Sequence, residues 1–113
     1  MAYALSIRLL AEPLRTLAFG AIGPVYMGIG TALDNPCRIL NIQNQTDVSI
    51  LFSLDGVDDH FLLPANGFIL LDVSSNEVHN GGWFISQGQR FYAKSNGFLP
   101  TSGAVYLSAF YGK

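Results

Sequence analysis

From Asn35 onward, short apolar runs alternate with clusters of Gly, Pro, Asn and Asp. The run NPCRILNIQNQTDVSILFSLDG predicts two strands joined by a turn at Asn44-Gln45-Thr46-Asp47, whose side chains can bond their own backbone. In the second of these strands Val48, Ile50, Phe52 and Leu54 fall on one face and Ser49 and Ser53 on the other, the period of two of a half-buried strand. HFLLP, FILLDV, WFIS, QRFYAKS and AVYLSAFYG predict further strands. In QRFYAKS, Phe91 and Ala93 alternate against Arg90, Tyr92 and Lys94; in AVYLSAFYG, Val105, Leu107, Ala109 and Tyr111 alternate against Tyr106 and Phe110. FILLDV is apolar on both faces, which places it in a sandwich interior or at an interface. Nothing after Asn35 has helical periodicity. The expected fold is all-β: a small antiparallel β-sandwich or barrel over residues 36–113, with strands recurring at roughly eight to twelve residues.

The segment before it has a different texture. TLAFGAIGPVYMGIGTAL, residues 16–33, carries no charge. It barely reaches the length of a membrane span, and Gly20, Gly23, Pro24, Gly28 and Gly30 disfavour a stable helix, so no membrane partner is expected. Arg8, Glu12, Pro13 and Arg15 interrupt the approach in a way a signal peptide does not. Gly28-Ile29-Gly30 lacks the third glycine and flanking elements of a dinucleotide loop. Glycine at this density permits a bent, extended path close to another chain. Residues 1–35 are therefore expected to form an extended apolar N-terminal arm that packs on a neighbouring subunit through Leu17, Phe19, Ile22, Val25, Tyr26, Met27, Ile29 and Leu33. Asp34-Asn35-Pro36 marks the boundary, because proline biases the residue before it away from helix. The competing expectation is that residues 14–19 add an edge strand to the sandwich. A chain shortened to begin near Asn35 separates the two, since it folds alone only if the arm serves assembly.

Composition sharpens this picture. Half of the 113 residues are hydrophobic and 12% are charged, against roughly 25% in an ordinary soluble domain. A surface so poor in charge points to coverage by partners and to a homo-oligomer. The net charge of −2, with six basic residues that form no run, argues against a nucleic-acid partner. Cys37 is the sole cysteine, so the chain has no internal disulfide; it reads as a small buried residue at the start of a strand, made in a reducing cytoplasm.

The search for chemistry yields no catalytic residue, no metal ligand set and no cofactor. No phosphate-binding loop is present. Asp55, Asp58, Asp59 and His60 form the densest polar cluster, but the spacing is not that of a calcium loop, and it reads as a solvated hairpin tip. His60 and His79 with these carboxylates do not have a spacing that requires a metal or acid–base site. Asn44-Gln45-Thr46 matches a glycosylation acceptor without a secretory context. Trp83, Tyr92, Tyr106 and Tyr111 could stack on a glycan, which keeps a binding module as an alternative reading.

The pieces NPCRILNIQNQTDVSILFSLDG, DHFLLPANGFILLDVSSN, GQRFYAK and PTSGAVYLSAFYG, together with Tyr26-Met27-Gly28-Ile29-Gly30, resemble small virion structural proteins of tailed bacteriophages. The resemblance is one of texture and strand order over most of the chain. It implies a non-enzymatic β-domain present in many copies per virion, made in the host bacterial cytoplasm. Its partners would be copies of itself and other virion structural proteins of the neck, tail or capsid, including a capsid decoration or cement role. It implies no catalytic residues.

Overall fold

The computed structural model describes residues 8–72 and 85–112. Nine strands alternate along them: β1 (Leu9–Ala11), β2 (Arg15–Ala18), β3 (Met27–Gly28), β4 (Ile39–Asn44), β5 (Ile50–Ser53), β6 (Phe61–Leu63), β7 (Phe68–Asp72), β8 (Tyr92–Ser95) and β9 (Ala104–Gly112). They form two antiparallel sheets. In the first, β4 lies between β7 and β9, and β1 and β2 follow one another along the far side of β9. The second has the order β3-β8-β5-β6. The expected all-β sandwich is the observed fold. The expected strand WFIS lies outside the described residues except for Ile85 and Ser86; Ile85 forms a bridge with Cys37.

Alternation explains the core. Leu40 and Ile42 of β4 and Val105, Leu107 and Ala109 of β9 face Ile50 and Phe52 of β5 and Ala93 of β8, all in one buried cluster. Phe52 stacks on Phe61 of the neighbouring strand with centroids 5.1 Å apart. Among the buried polar residues, Asn44 and Ser53 each have a hydrogen-bonding reason. Asn44 is fully buried, donating to the carbonyls of Val48, Leu63 and Pro64 while its Oδ1 accepts from the Thr46 backbone N–H and hydroxyl. This hub ties the β4–β5 corner to the end of β6, and it removes Asn44 from solvent, so the Asn-x-Thr match is a structural turn. Ser53 is buried because the following loop folds back over it: its hydroxyl donates to Asp55 and accepts from the Gly56 amide.

Residues 8–35 do not leave the sandwich as an arm. β1 and β2 pair with β9, and the Glu12 amide reaches the Ala109 carbonyl across the interruption at Pro13. A 3-10 turn at Phe19–Ala21 then carries the chain to the other sheet. There Ser95 donates to Gly23, β3 pairs with β8, Ile29 donates to Phe91 and Leu33 to Gln89, so this stretch runs along the edge of β8. Ile22, Ile29 and Leu33 are buried in the core, each contributing roughly 1.5–3 kcal/mol. The edge-strand expectation for residues 14–19 holds, and the boundary at Asn35 does not separate an arm from a finished domain. The physical reason is that β9 and β8 would otherwise each present a bare side, and an extended segment, charge-free from residue 16 to residue 33, satisfies both.

One buried ion pair fixes this path. Arg15 and Glu12 have side chains only 5% and 1% exposed, with Nη2 2.9 Å from Oε1. The guanidinium also donates to the carbonyls of Pro13, Thr31 and Ala32. Glu12 in turn accepts from the Asp34 amide at 3.0 Å and the Asn35 side-chain amide at 2.5 Å. Burial is the largest single influence on the Glu12 carboxyl and raises its pKa. The Asp34 amide, Asn35 and Arg15 together outweigh burial and hold the pKa below its ordinary value.

Candidate functional site

The two outer faces of the sandwich differ in chemistry. On the β7-β4-β9 sheet, directly opposed residues share a face, so the register lays out three outward rows. The first is Phe68, Gln43, Tyr106 and Thr16; the second is Leu70, Asn41 and Ser108; the third is Asp72, Ile39, Phe110 and Ala11. Asp72, at the rim, is the one charged residue in these rows. Phe68 and Leu70 are 65% and 59% exposed, far more than aromatic and aliphatic residues in a covered strand. Asn41, in the middle row, has its Oδ1 shielded from water with no hydrogen-bond donor.

The outer face of the β8-β5 sheet is mixed, with Leu51 and Leu62 beside Lys94 and Tyr92, and it is crossed by the loop between β5 and β6. Asp55, Asp58, Asp59 and His60 are all exposed, as expected of a solvent-facing tip, and the loop is internally hydrogen-bonded. Asp55 Oδ1 accepts from the Val57 and Asp58 amides and from the Ser53 hydroxyl, which together hold its carboxyl far below the usual carboxylate range. Asp59 accepts from the Tyr26 hydroxyl at 2.5 Å and lies 3.3 Å from Lys94 Nζ, and these partners lower its pKa. Lys94 also lies over the Tyr26 ring at 4.7 Å. Burial first and then the Asp59 carboxylate push the Tyr26 hydroxyl well above its ordinary value. The loop is thereby anchored to β8 and to the residue preceding β3.

Chemically, this cluster forms a turn. Ligating atoms of Asp55, Asp58 and His60 lie within 4.8 Å of one another, the one grouping of metal-binding type among the described residues. Yet Asp55 Oδ1 is already occupied by three donors, and His60 Nδ1 accepts the Leu54 amide at 2.9 Å. Ser53 Oγ is 3.5 Å from that same nitrogen, but the hydroxyl donates to Asp55 at 2.8 Å. In a nucleophile relay the base takes the serine proton and the carboxylate orients the base; here the carboxylate takes the serine proton's bond directly.

The expected arm residues are dispersed. Ile22, Ile29 and Leu33 are core, Leu17 packs against the core, Tyr26 is tied to Asp59, and Phe19, Val25 and Met27 are exposed. They do not form one interface. Cys37 is buried, as expected; burial, then the nearby Glu12 carboxylate, push its thiol up to about 11, so it is not a poised nucleophile. Trp83 and His79 lie outside the described residues. The three tyrosines proposed to stack on a glycan do not share a surface. Tyr92 is on the outer face of β8 with Arg90 over its ring at 5.8 Å, Tyr106 is on the outer face of β9, and Tyr111 packs against the core. The large apolar residues that converge on the β7-β4-β9 face are Phe68, Leu70, Tyr106 and Phe110, from the two-sided apolar runs of the sequence, and Ile39 of β4, and their meeting depends on strand order. Comparison with known protein families, curated proteins and solved structures found no match.

Proposed function

We propose that this chain is a non-enzymatic structural protein of a tailed-bacteriophage virion, a β-sandwich present in many copies that pack on one another and on neighbouring neck, tail or capsid proteins. The observation that carries the assembly role is the outer face of the β7-β4-β9 sheet, whose three rows carry one charged residue, Asp72 at the rim, in a chain with only 12% charged residues. Its three rows cover on the order of 300 Å² in plan, about half of it apolar, from Phe68, Tyr106, Leu70, Ile39, Phe110 and Ala11. At roughly 25 cal/mol per Å² of apolar area, covering it contributes about 4 kcal/mol before the entropic cost of association is subtracted. The virion context rests on the resemblance in texture and strand order.

Two measurements test the reading. The protein is expected at stoichiometric copy number in purified particles, and the full chain is expected to self-associate in concentrated solution. Absence from particles removes the virion role. A strictly monomeric chain that also fails to bind any particle component removes the assembly role.

A further inference from the structure

The proposed assembly role leaves open which surface two copies share, and the edges of the sheets differ in a way that answers it. Among the described residues, three of the four edges are blunted in the manner of soluble β-proteins. The β1/β2 edge is interrupted at Pro13, β3 has two residues, and β6 has three and ends at Pro64. β7 is five residues long, has no proline, and carries no charge before Asp72. No described strand lies on its side away from β4.

The direction of its backbone groups follows from the register. The Asn44 amide donates to the Gly67 carbonyl at 2.8 Å, one position beyond the Gln43–Phe68 pair. Hydrogen-bonded pairs alternate in an antiparallel ladder, so Ile69 and Leu71 turn their amides and carbonyls toward β4. Phe68 and Leu70 turn theirs to the open side. Their side chains are also the exposed ones of the strand.

We propose that β7 pairs antiparallel with β7 of a second copy of this chain, about a two-fold axis through Ile69, joining two sandwiches into one continuous sheet. This inference rests on the assembly role above and gives it a partner and a register. In that register Phe68 of each copy lies opposite Leu70 of the other, and their four open-side amides and carbonyls are mutually satisfied. Phe68 and Leu70 of both copies then form one apolar row continuous with the outer faces. Asp72 falls opposite Asn66 of the partner, so no carboxylate is placed against an apolar side chain. A second copy fits because the uncharged run from Phe68 to Leu71 is its own complement: self-pairing brings no like charges together. Covering the four apolar side chains on each strand removes on the order of 600 Å² in total, about half of what a specific stable interface buries. The pair is therefore weak between free molecules and effective where copies are held side by side.

Cross-linking of the full chain tests the register. Ile69 meets its own counterpart at a non-hydrogen-bonded position, where Cα atoms are about 4.5 Å apart, within disulfide range. Ile69→Cys under air oxidation is expected to yield a covalent dimer, while Leu71→Cys, opposite Gly67 of the partner, yields none. The wild-type chain, with Cys37 buried, supplies the background. Leu70→Lys, which changes no group facing β4, is expected to weaken self-association about tenfold or more with an unchanged melting curve. No dimer from Ile69→Cys, or equal dimer from both cysteine variants, overturns the proposal, as does unchanged self-association of Leu70→Lys. Uptake of a non-cross-linking Ile69→Cys chain into particles would remove the β7 pair and leave the virion role standing. A cross-linked dimer of a chain absent from particles would do the reverse.

Discussion

Replacing Arg15 by methionine isolates the contribution of the buried node at the start of the fold. The guanidinium satisfies four acceptors: Glu12 at 2.9 Å and the carbonyls of Pro13, Thr31 and Ala32 at 3.0, 2.7 and 2.8 Å. Methionine fills most of the volume and removes the charge, leaving the Glu12 carboxylate, 1% exposed, without its cation. Breaking a buried pair in this way costs about 3–5 kcal/mol, a third or more of the stability of a typical domain. Urea denaturation at neutral pH, followed by circular dichroism, should show that loss, and the melting temperature should fall by roughly 12 °C or more. Adding Glu12→Gln should restore part of it, because the double variant buries no unpaired charge. The pH dependence has a definite sign. The folded-state pKa of Glu12 is depressed below its ordinary value of 4.5, so its contribution is fully present above that pH. It is lost as pH falls through the lower folded value, and an acid titration should be steeper for wild type than for Glu12→Gln. A loss below about 1 kcal/mol for Arg15→Met, the magnitude of an exposed pair, would refute the reasoning. So would a double variant less stable than the single one.

Three other perturbations follow from the same structure. Gly103 has φ +88° and its added Cβ would run into the Gln45 carbonyl, so Gly103→Ala should cost about 3 kcal/mol or more. Gly88 has the same φ with open space around it, and Gly88→Ala should cost only about 1–2 kcal/mol; equal losses in paired thermal melts would show that the close approach is unimportant. Asn44→Ala removes the donor shared by three carbonyls and the acceptor for Thr46, a loss of about 2–4 kcal/mol by chemical denaturation. A chain beginning at Asn35 lacks three strands and three core side chains and should show no cooperative melt; a stable β-rich spectrum would restore the free-arm reading.

The readable parts of the sequence were those governed by local period. Phe91 and Ala93 against Tyr92 and Lys94, and Val105, Leu107 and Ala109 against Tyr106 and Phe110, fall on the faces that alternation assigns. Ser53 breaks its strand's pattern because the turn at Asp55 closes over it, a tertiary contact that no period of two contains. Leu54, aligned with the core residues of β5 in the sequence, is exposed because the strand ends at Ser53 and the chain turns. Glu12 and Arg15 read as interruptions in an apolar approach, and only the return of residues 31–35 to their side shows them as partners. The outer face was half legible. FILLDV and AVYLSAFYG were visibly two-sided, but that Phe68, Leu70, Ile39, Tyr106 and Phe110 share one surface depends on β4 lying between β7 and β9.

Returning the N-terminal segment to its own sandwich moves the centre of the assembly argument. An apolar segment dense in glycine satisfies two different needs equally well in sequence: burial on another chain, or a close path along one's own sheets. Here the second need is the stronger, because β9 and β8 each offer a side of unpaired amides and carbonyls, and leaving either bare would be costly. Gly30, at φ +61° with its Cβ position 2.9 Å from the Arg15 side chain, shows the close approach that the path requires. Once Ile22, Ile29 and Leu33 are core, they no longer account for a surface poor in charge. The apolar excess must then be sought where it remains exposed. Among the described residues the longest unbroken edge, β7, carries two of those exposed residues, Phe68 and Leu70, and opens onto the face of low charge formed with β4 and β9. Assembly through that edge needs no freed segment and no refolding, only a second strand of the same kind.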